Sequence, residues 1–236
     1  MPDVDASHCL HCPTRQHCLA DGLDDDGLQR LSACVRPSPP LRKGDRLFAP
    51  EDRGDDCYVV RSGCFKTVRV SADGDETVTG FHLPGDLVGV SRLAGGGRSE
   101  TAVALETSTA CRVLAGELQG LWQVGAGRSL LRLAGRQSEL AADHQHTLSQ
   151  GAADARVAGF LVTLAQRMRR LRRGDNPLPL PMSRTDLARY LGMTLECLSR
   201  VLARLSRAGI LDATRRQVTV HDGDALRALA RRGEDG

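Results

Sequence analysis

The chain has 236 residues, of which 41% are hydrophobic and 3% aromatic, and it carries a formal net charge of +3. This composition allows one large or two medium domains with cores of Leu, Val and Ala, but it argues against a stacking surface for single-stranded nucleic acid. No apolar run approaches the length of a membrane span and the start has no secretory signal, so we expect a cytoplasmic protein that makes no membrane contact.

The charge is distributed unevenly along the chain. Residues 156–236 contain 16 Lys or Arg and 8 Asp or Glu, whereas residues 1–155 contain 16 and 21. A basic carboxyl-terminal part behind a mildly acidic amino-terminal part predicts that an anionic partner binds at the carboxyl-terminal end. An arginine-rich surface that is merely solvated is the alternative.

Three of the eight cysteines lie within ten residues near the amino terminus, in the pattern Cys9-x2-Cys12-x5-Cys18. In a reducing compartment a disulfide framework explains them poorly, so metal binding, redox sensing and packing remain open. Short loops allow such thiolates to converge on one metal centre. Since the segment is too small to fold around its own core, the pattern predicts a ligand-holding arm that needs a further ligand from elsewhere.

The next segment is predicted to change from helix to strand. Residues 24–35 indicate a short helix, because Leu28 and Leu31 follow three acidic residues placed at its positive end. From residue 41 to residue 114, short alternating runs are separated by turns, and residues 72–75 are typical of a hairpin. Strands of this length and spacing predict an antiparallel roll or barrel.

Residues 116–151 are predicted to be helical. A seam with spacings of three and four residues runs along this segment, apolar at Leu133 and Leu140 and polar at His144. This is a weak coiled-coil pattern, so a dimer formed through it would be marginal; a helix that packs on its own domain is the alternative. A further amphipathic helix is predicted over residues 155–172. The predicted dimer contacts are Leu130, Leu133 and Leu140.

A helix-turn-helix is predicted over residues 183–207. Ser183-Arg184-Thr185-Asp186 resembles a capping box that opens a short helix, and Thr194 can cap a second helix. Gly192 lies between them, and two helices joined by a glycine-containing turn are typical of this motif. The side of the second helix that faces the core is predicted to carry Leu195, Leu198, Leu202 and Leu205.

The other side of that second helix carries candidate base-reading residues. Glu196, Ser199 and Arg200 share one face near the end that enters the major groove in such motifs. Their side chains suit hydrogen bonding to cytosine, to several base edges and to guanine, respectively. An ion pair between Glu196 and Arg200 on a protein-binding helix is the alternative. The predicted contacts to the DNA backbone are Arg184, Arg189, Arg204 and Arg207, with Arg215 and Arg216 in a wing formed by strands near 210–213 and 218–220.

Nearly the whole chain resembles the CRP/FNR superfamily, in particular its fumarate and nitrate reduction regulator (FNR) branch. The resemblance is carried by the amino-terminal cysteine pattern, by residues 79–89 (TGFHLPGDLVG), by residues 105–108 (LETS) ahead of Cys111, and by Glu196-x2-Ser199-Arg200. It implies an α+β fold with an antiparallel β-roll of the cyclic-nucleotide-binding type, a long dimerisation helix and a winged helix-turn-helix. The corresponding domains are the amino-terminal arm, which would bind an iron-sulfur cluster, with its short helix (1–35), the β-roll (36–117), the dimerisation helix region (118–152) and the DNA-binding domain (153–236).

The resemblance also implies a function. It assigns Cys9, Cys12, Cys18 and Cys111 as ligands of one oxygen-labile [4Fe-4S] cluster per subunit. Glu196, Ser199 and Arg200 are then expected to read a TTGAT-type half-site, with a homodimer on an inverted repeat of double-stranded DNA. The implied protein activates or represses genes of anaerobic metabolism and contacts RNA polymerase, by analogy near residues 72–76. Pro13 departs from the residue often found in the family and is expected to tune access of oxygen to the cluster. The remaining cysteines, Cys34, Cys57, Cys64 and Cys197, are interpreted as packing residues.

Three other functions have partial support in the sequence or the fold class. A zinc or thiol sensor could use the same arm with His8, His11 or His17 as the closing ligand, and spacing alone favours it. A cyclic-nucleotide receptor is disfavoured, because Arg98-Ser99 lies about three positions out of register for a phosphate-binding pair and Val90 replaces a ribose-binding glutamate. An enzyme is disfavoured since no nucleophile-base-acid set or phosphate-binding loop is found in the sequence.

Overall fold

A computed structural model describes residues 9–52, 54, 56–91, 99–171, 174 and 176–231, so His8 and Arg98 lie outside the described residues. The chain divides into two compact units, Met1–Glu139 and Leu140–Gly236. Among the described residues, no helix has both the length and the apolar composition needed to cross a membrane.

The first unit is built on two four-stranded antiparallel sheets, with strand orders β1-β8-β3-β6 and β2-β7-β4-β5. The predicted antiparallel roll is therefore confirmed. The strands are β1 (Val35–Pro37), β2 (Arg46–Phe48), β3 (Cys57–Ser62), β4 (Phe65–Val70), β5 (Glu76–His82), β6 (Leu87–Val88), β7 (Thr101–Ala104) and β8 (Thr109–Val113). The predicted hairpin turn joins β4 to β5, where the N–H of Ser71 donates to the carbonyl of Asp75 over 2.9 Å.

Helices cover one face of this roll. Helix α1 (Asp25–Cys34) begins where predicted, because the Asp24 carboxylate accepts a hydrogen bond of 2.8 Å from the Gly27 N–H. Helix α2 (Leu118–Gln123) follows the last strand, and α3 (Gly127–Ser149) begins in the first unit and ends in the second. The core beneath these helices includes Cys9, Leu19, Leu28, Leu31, Val59 and Val113. The arm therefore shares the core of the roll, as its small size requires.

The start of α3 belongs to the same core. Leu130 and Leu133 are buried against it, Leu140 is half-buried, and Leu131 is 61% exposed. For Leu130 and Leu133 this burial supports the alternative in which the helix packs on its own domain. Their contribution to a dimer, and that of Leu140, stays a prediction.

The second unit holds α4 (Ala153–Arg170), the short strand β9 (Leu178–Pro179), α5 (Arg184–Tyr190), α6 (Leu195–Arg207), β10 (Leu211–Ala213), β11 (Gln217–Val220) and α7 (Gly223–Arg231). The strands form one antiparallel sheet in the order β10-β11-β9. The predicted helix-turn-helix is confirmed, with Gly192 at φ +60° in the turn and a complete capping box between Ser183 and Asp186. The predicted wing corresponds to β10 and β11.

One detail of this unit differs from the sequence-based expectation. Leu195 is 45% exposed rather than directed to the core, whereas Leu198, Leu202 and Leu205 are buried as predicted. Leu195 is the first residue of α6, and side chains in a first turn lean back beyond the end of the packed face. His144 packs within this unit, because its ring stacks on Tyr190 with centroids 3.8 Å apart.

Candidate functional site

The four cysteines assigned by resemblance line one cavity in the first unit. Cys9, Cys12 and Cys18 come from the arm and Cys111 from β8, and the cavity between them measures about 30 Å³. Its other walls are largely apolar, formed by Leu19, Leu31, Val35, Val59 and Val60, with Thr14 and Arg61 as the polar neighbours. Residues separated by more than 90 positions in sequence thus line one small, largely apolar cavity.

Tight turns fold the arm so that its thiols face inward. The N–H of Cys12 donates to the Cys9 carbonyl over 3.3 Å, and the N–H of Arg15 donates to the Cys12 carbonyl over 3.2 Å. A 3₁₀ turn (Arg15–His17) then carries the chain to Cys18. Because each turn closes over two or three residues, the Cys-x2-Cys-x5-Cys spacing returns the backbone to the same cavity.

Two contacts attach the arm to the roll. The hydroxyl of the buried Thr14 donates to the Arg61 carbonyl at the end of β3 over 2.7 Å. The backbone of His17 lies against Gly85, where an added Cβ would stand 2.5 Å from the His17 carbonyl oxygen. Gly85 also has φ +90°, a conformation that other residues rarely adopt. The arm is therefore docked on the strand end and on the loop between β5 and β6.

The fourth thiol has a rigid support. Cys111 lies in β8, between β1 and β3, opposite Pro37 on one side and Val59 on the other. A central strand holds a side chain more firmly than a loop, since both edges are hydrogen-bonded. Any ligand shared by Cys111 and the arm would consequently be anchored on the sheet.

The environment of Cys9, Cys18 and Cys111 raises the pKa of each thiol and so favours its neutral form. Burial, followed by the proximity of the other thiols, raises the pKa of Cys111 to about 12. Burial likewise raises the pKa of Cys18 to about 12 and raises that of Cys9. Thiolates are the ligand form, so a cation bound here would offset their mutual repulsion and displace protons. Binding of a cationic group by this set of thiols would therefore require their deprotonation.

The zinc alternative needs a closing ligand beside the three cysteines of the arm. No group of three or more His, Cys, Asp or Glu among the described residues is arranged so that it could hold one metal ion. A mononuclear zinc site requires four ligands converging tetrahedrally, with zinc-sulfur distances of roughly 2.3 Å. Neither His11 nor His17 is among the residues that line the cavity, so neither imidazole is placed to serve as the closing zinc ligand.

The candidate DNA-reading surface lies on α6 in the second unit. The Thr194 hydroxyl caps this helix by accepting from the Cys197 N–H over 3.1 Å, so the first turn is held in helical geometry. Glu196, Ser199 and Arg200 are all exposed, as base reading requires. In the described part of the chain, no ion pair forms between Glu196 and Arg200 that would occupy both side chains.

The arginines predicted to contact DNA phosphates differ in their surroundings. Arg184 is half-buried and its guanidinium donates to the Thr214 carbonyl of the wing over 2.5 Å, while Arg204 is paired with Asp154 of α4. For these two, a phosphate contact would have to compete with a partner inside the protein. Arg189, Arg207, Arg215 and Arg216 are exposed. The backbone-contact assignment of all six stays a prediction.

Sequence reasoning missed one arginine. The Arg156 guanidinium, on α4, donates to the carbonyls of Leu191 and Gly192 over 2.9 and 3.1 Å. These carbonyls belong to the turn of the helix-turn-helix, so Arg156 holds the turn that orients α6. No local pattern could have revealed it, because the partners lie about 35 residues away in the sequence.

Two family models match the chain: a cyclic nucleotide-binding domain over residues 40–124 and a Crp-like helix-turn-helix domain over residues 155–229. Together with the exposed face of α6, they define a transcription regulator that binds DNA through a helix-turn-helix.

The comparisons with individual proteins extend over the whole chain. The fumarate and nitrate reduction regulatory proteins of Salmonella typhi and Escherichia coli are 35% and 34% identical to it over 234 residues, which cover 95% of this chain and 91% of each relative. The solved structure of FixK2 from Bradyrhizobium japonicum is 29% identical with a TM-score of 0.72, and the match covers 83% of this chain and 96% of that one. The chain belongs to the CRP/FNR family of transcription regulators.

Proposed function

We propose that this chain is an oxygen-responsive regulator in which Cys9, Cys12, Cys18 and Cys111 hold one [4Fe-4S] cluster per subunit. The cluster-loaded chain would form a homodimer that binds TTGAT-type inverted repeats and activates or represses genes of anaerobic metabolism, together with RNA polymerase. The names of the relatives, which refer to the regulation of fumarate and nitrate reduction, agree with this proposal.

The observation that carries the proposal is the convergence of four thiols on one cavity. Iron-sulfur clusters are held by four cysteine thiolates, and a cluster distributes these ligands over several iron atoms. The apolar walls formed by Leu19, Leu31 and Val59 would limit the access of water.

The residues of the chain would convert occupancy of this site into control of DNA binding. Bonds from Cys111 and from the three arm cysteines to one group would fix the arm on β8, adding to the contacts at Thr14 and Gly85. When bound, a [4Fe-4S] cluster supplies the reactivity toward oxygen. Loss of the ligand bonds would leave the arm held only by the weaker contacts, and the marginal seam of α3 would no longer pair.

Dimerisation explains how DNA binding by α6 would depend on the state of the cysteine site. Two copies of α6 would occupy half-sites about one DNA turn apart, so that Glu196, Ser199 and Arg200 of each subunit read one half of the repeat. A monomer would engage a single half-site and would bind much more weakly, because linked binding events reinforce each other.

The ligand assignment is tested by Cys111→Ala, with Cys197→Ala as the matched control outside the cavity. After anaerobic purification, we expect the Cys111 variant to lack the broad visible absorbance of the cluster and to be largely monomeric. The Cys197 variant should retain the absorbance. A fully absorbing dimer of the Cys111 variant would contradict the assignment, and zinc without iron or sulfide in the unmodified protein would select the zinc alternative.

A further inference from the structure

The arm contacts the first turns of α3 through a short polar chain that starts at a predicted cluster ligand. The N–H of Asp21 donates to the Cys18 carbonyl over 3.3 Å, so Asp21 is held one turn away from the thiol. The Asp21 carboxylate pairs with the Arg132 guanidinium at 2.7 Å, and the Asp21 carbonyl accepts from the Ser129 hydroxyl over 3.2 Å. Both the side chain and the backbone of one arm residue are thus bound to α3.

The three polar residues of this contact are each bonded to the other two, and they lie over apolar side chains. Arg132 also donates to the Ser129 hydroxyl over 3.1 Å, so Asp21, Ser129 and Arg132 are mutually connected. Ser129 is buried, whereas the side chains of Asp21 and Arg132 are 32% and 41% exposed. Beneath them, Leu19 and Leu130 share the core of the first unit. A movement of the segment that follows Cys18 would therefore displace the first turns of α3.

We propose that Asp21 and Arg132 form a positioning pair that transmits the occupancy of the cysteine site to α3. This inference rests on the proposed function. With the site filled, Cys18 would hold Asp21 beside Arg132, and the pair would fix the first turns of the helix in the orientation that favours dimerisation. With the site empty, Cys18 and Asp21 would shift together, the ion pair would weaken, and the helix would lose that orientation.

The modest strength expected for this ion pair and its partial exposure suit a switch rather than a permanent anchor. Ion pairs of such exposure contribute modestly, because water screens them and their side chains lose conformational freedom. A contact of this strength shifts an equilibrium by up to about fivefold, and a dimer contains two such contacts, which together are enough to bias a marginal dimer without enforcing it. A deeply buried pair would instead hold the arm whether the site was filled or empty.

The test compares Arg132→Met with Arg128→Met, an exposed arginine one turn earlier on α3. Both variants lose one positive charge from the same helix, but only the first loses the contact with Asp21. For the anaerobically loaded protein, the dimer dissociation constant is measured by sedimentation alongside the visible absorbance per chain. We expect Arg132→Met to keep its absorbance and to weaken the loaded dimer about three- to tenfold. In the cluster-free form it should change the constant less than about twofold, and Arg128→Met should behave as the unmodified protein in both forms.

A charge exchange separates positioning from simple stabilisation. Asp21→Arg and Arg132→Asp should each weaken the loaded dimer, and the double exchange should restore it to within about twofold, because the ion pair is re-formed. An unchanged loaded dimer in Arg132→Met, an equal loss in loaded and cluster-free forms, or a failure of the double exchange to rescue would each overturn the inference. An unmodified protein that takes up no iron and sulfide would overturn the proposed function along with it, so the two failures are distinguishable.

Discussion

At the scale of single residues, the docking of the arm depends on Gly85, where two backbones meet without room for a side chain. We expect Gly85→Ala to displace the arm, since its Cβ would clash with the His17 carbonyl oxygen and its φ of +90° would be strained. The cost should be about 1–3 kcal/mol. The check is the cluster absorbance recovered after anaerobic reconstitution, together with the rate at which a protease cleaves the arm.

Gly74→Ala is the matched control for this change. Gly74 has a similar φ of +85°, in the hairpin turn between β4 and β5, but an added Cβ there would meet nothing within 4 Å. It therefore carries the backbone strain without the clash. Equal cluster content and equal cleavage in the two variants would contradict the view that Gly85 is needed for the approach of the arm.

Specificity for DNA is also decided by single residues. We expect Arg200→Ala to cost roughly 1–3 kcal/mol of binding at a cognate inverted repeat and to relax discrimination at one base pair. The reason is that an exposed guanidinium on this face can donate two hydrogen bonds to guanine. Fluorescence anisotropy with cognate and random duplexes at one salt concentration measures the effect. A similar loss on both duplexes would instead assign Arg200 to a phosphate.

At the scale of elements, the turn between α5 and α6 depends on α4. Arg156→Met should weaken binding to cognate and random DNA alike. Without the guanidinium, the carbonyls of Leu191 and Gly192 lose their donor, and the turn no longer fixes the angle of α6. Arg227→Met on α7 removes an exposed arginine of the same unit whose partner, Asp224, is local. Cognate binding of the two variants, with unfolding temperatures measured in parallel, tests this role; equal affinities would contradict it.

The elements that sequence analysis predicted are those with local causes. The capping box of α5, the Thr194 cap of α6 and the hairpin turn at residues 72–75 each specify their geometry within a few residues. Strand β9 was missed because it has two residues and pairs with β11, almost 40 positions later. The exposure of Leu195 was missed because helical spacing describes a face but not where the partner surface ends.

At the scale of the whole molecule, the candidate site combines three closely spaced cysteines with one that is distant in the sequence. The arm spacing predicted a set of thiols, but nothing in it could select Cys111, which lies 93 positions beyond Cys18 among four other cysteines. The family resemblance made that assignment, and the common cavity supports it. The contact between Asp21 and Arg132 was likewise invisible in the sequence, since it depends on how the arm and α3 fold against each other.

The charge asymmetry acquires a physical explanation at this scale. The basic residues 156–236 include the reading helix and the wing, which are the parts expected to approach the DNA phosphates. The more acidic first part holds the cysteine cavity and the start of α3. The candidate cysteine site and the helix-turn-helix thus lie in different units of the chain, and α3 begins in the first unit and ends in the second.

The most direct test of the central claim is one series of measurements on the unmodified protein before and after exposure to air. Anaerobically, we expect roughly four iron and four sulfide per chain, broad visible absorbance, a dimer by sedimentation and tight binding to an inverted TTGAT-type repeat. After air, the absorbance, the dimer and the tight binding should be lost together. Zinc in place of iron and sulfide, or a dimer whose DNA affinity is the same before and after air, would contradict the account.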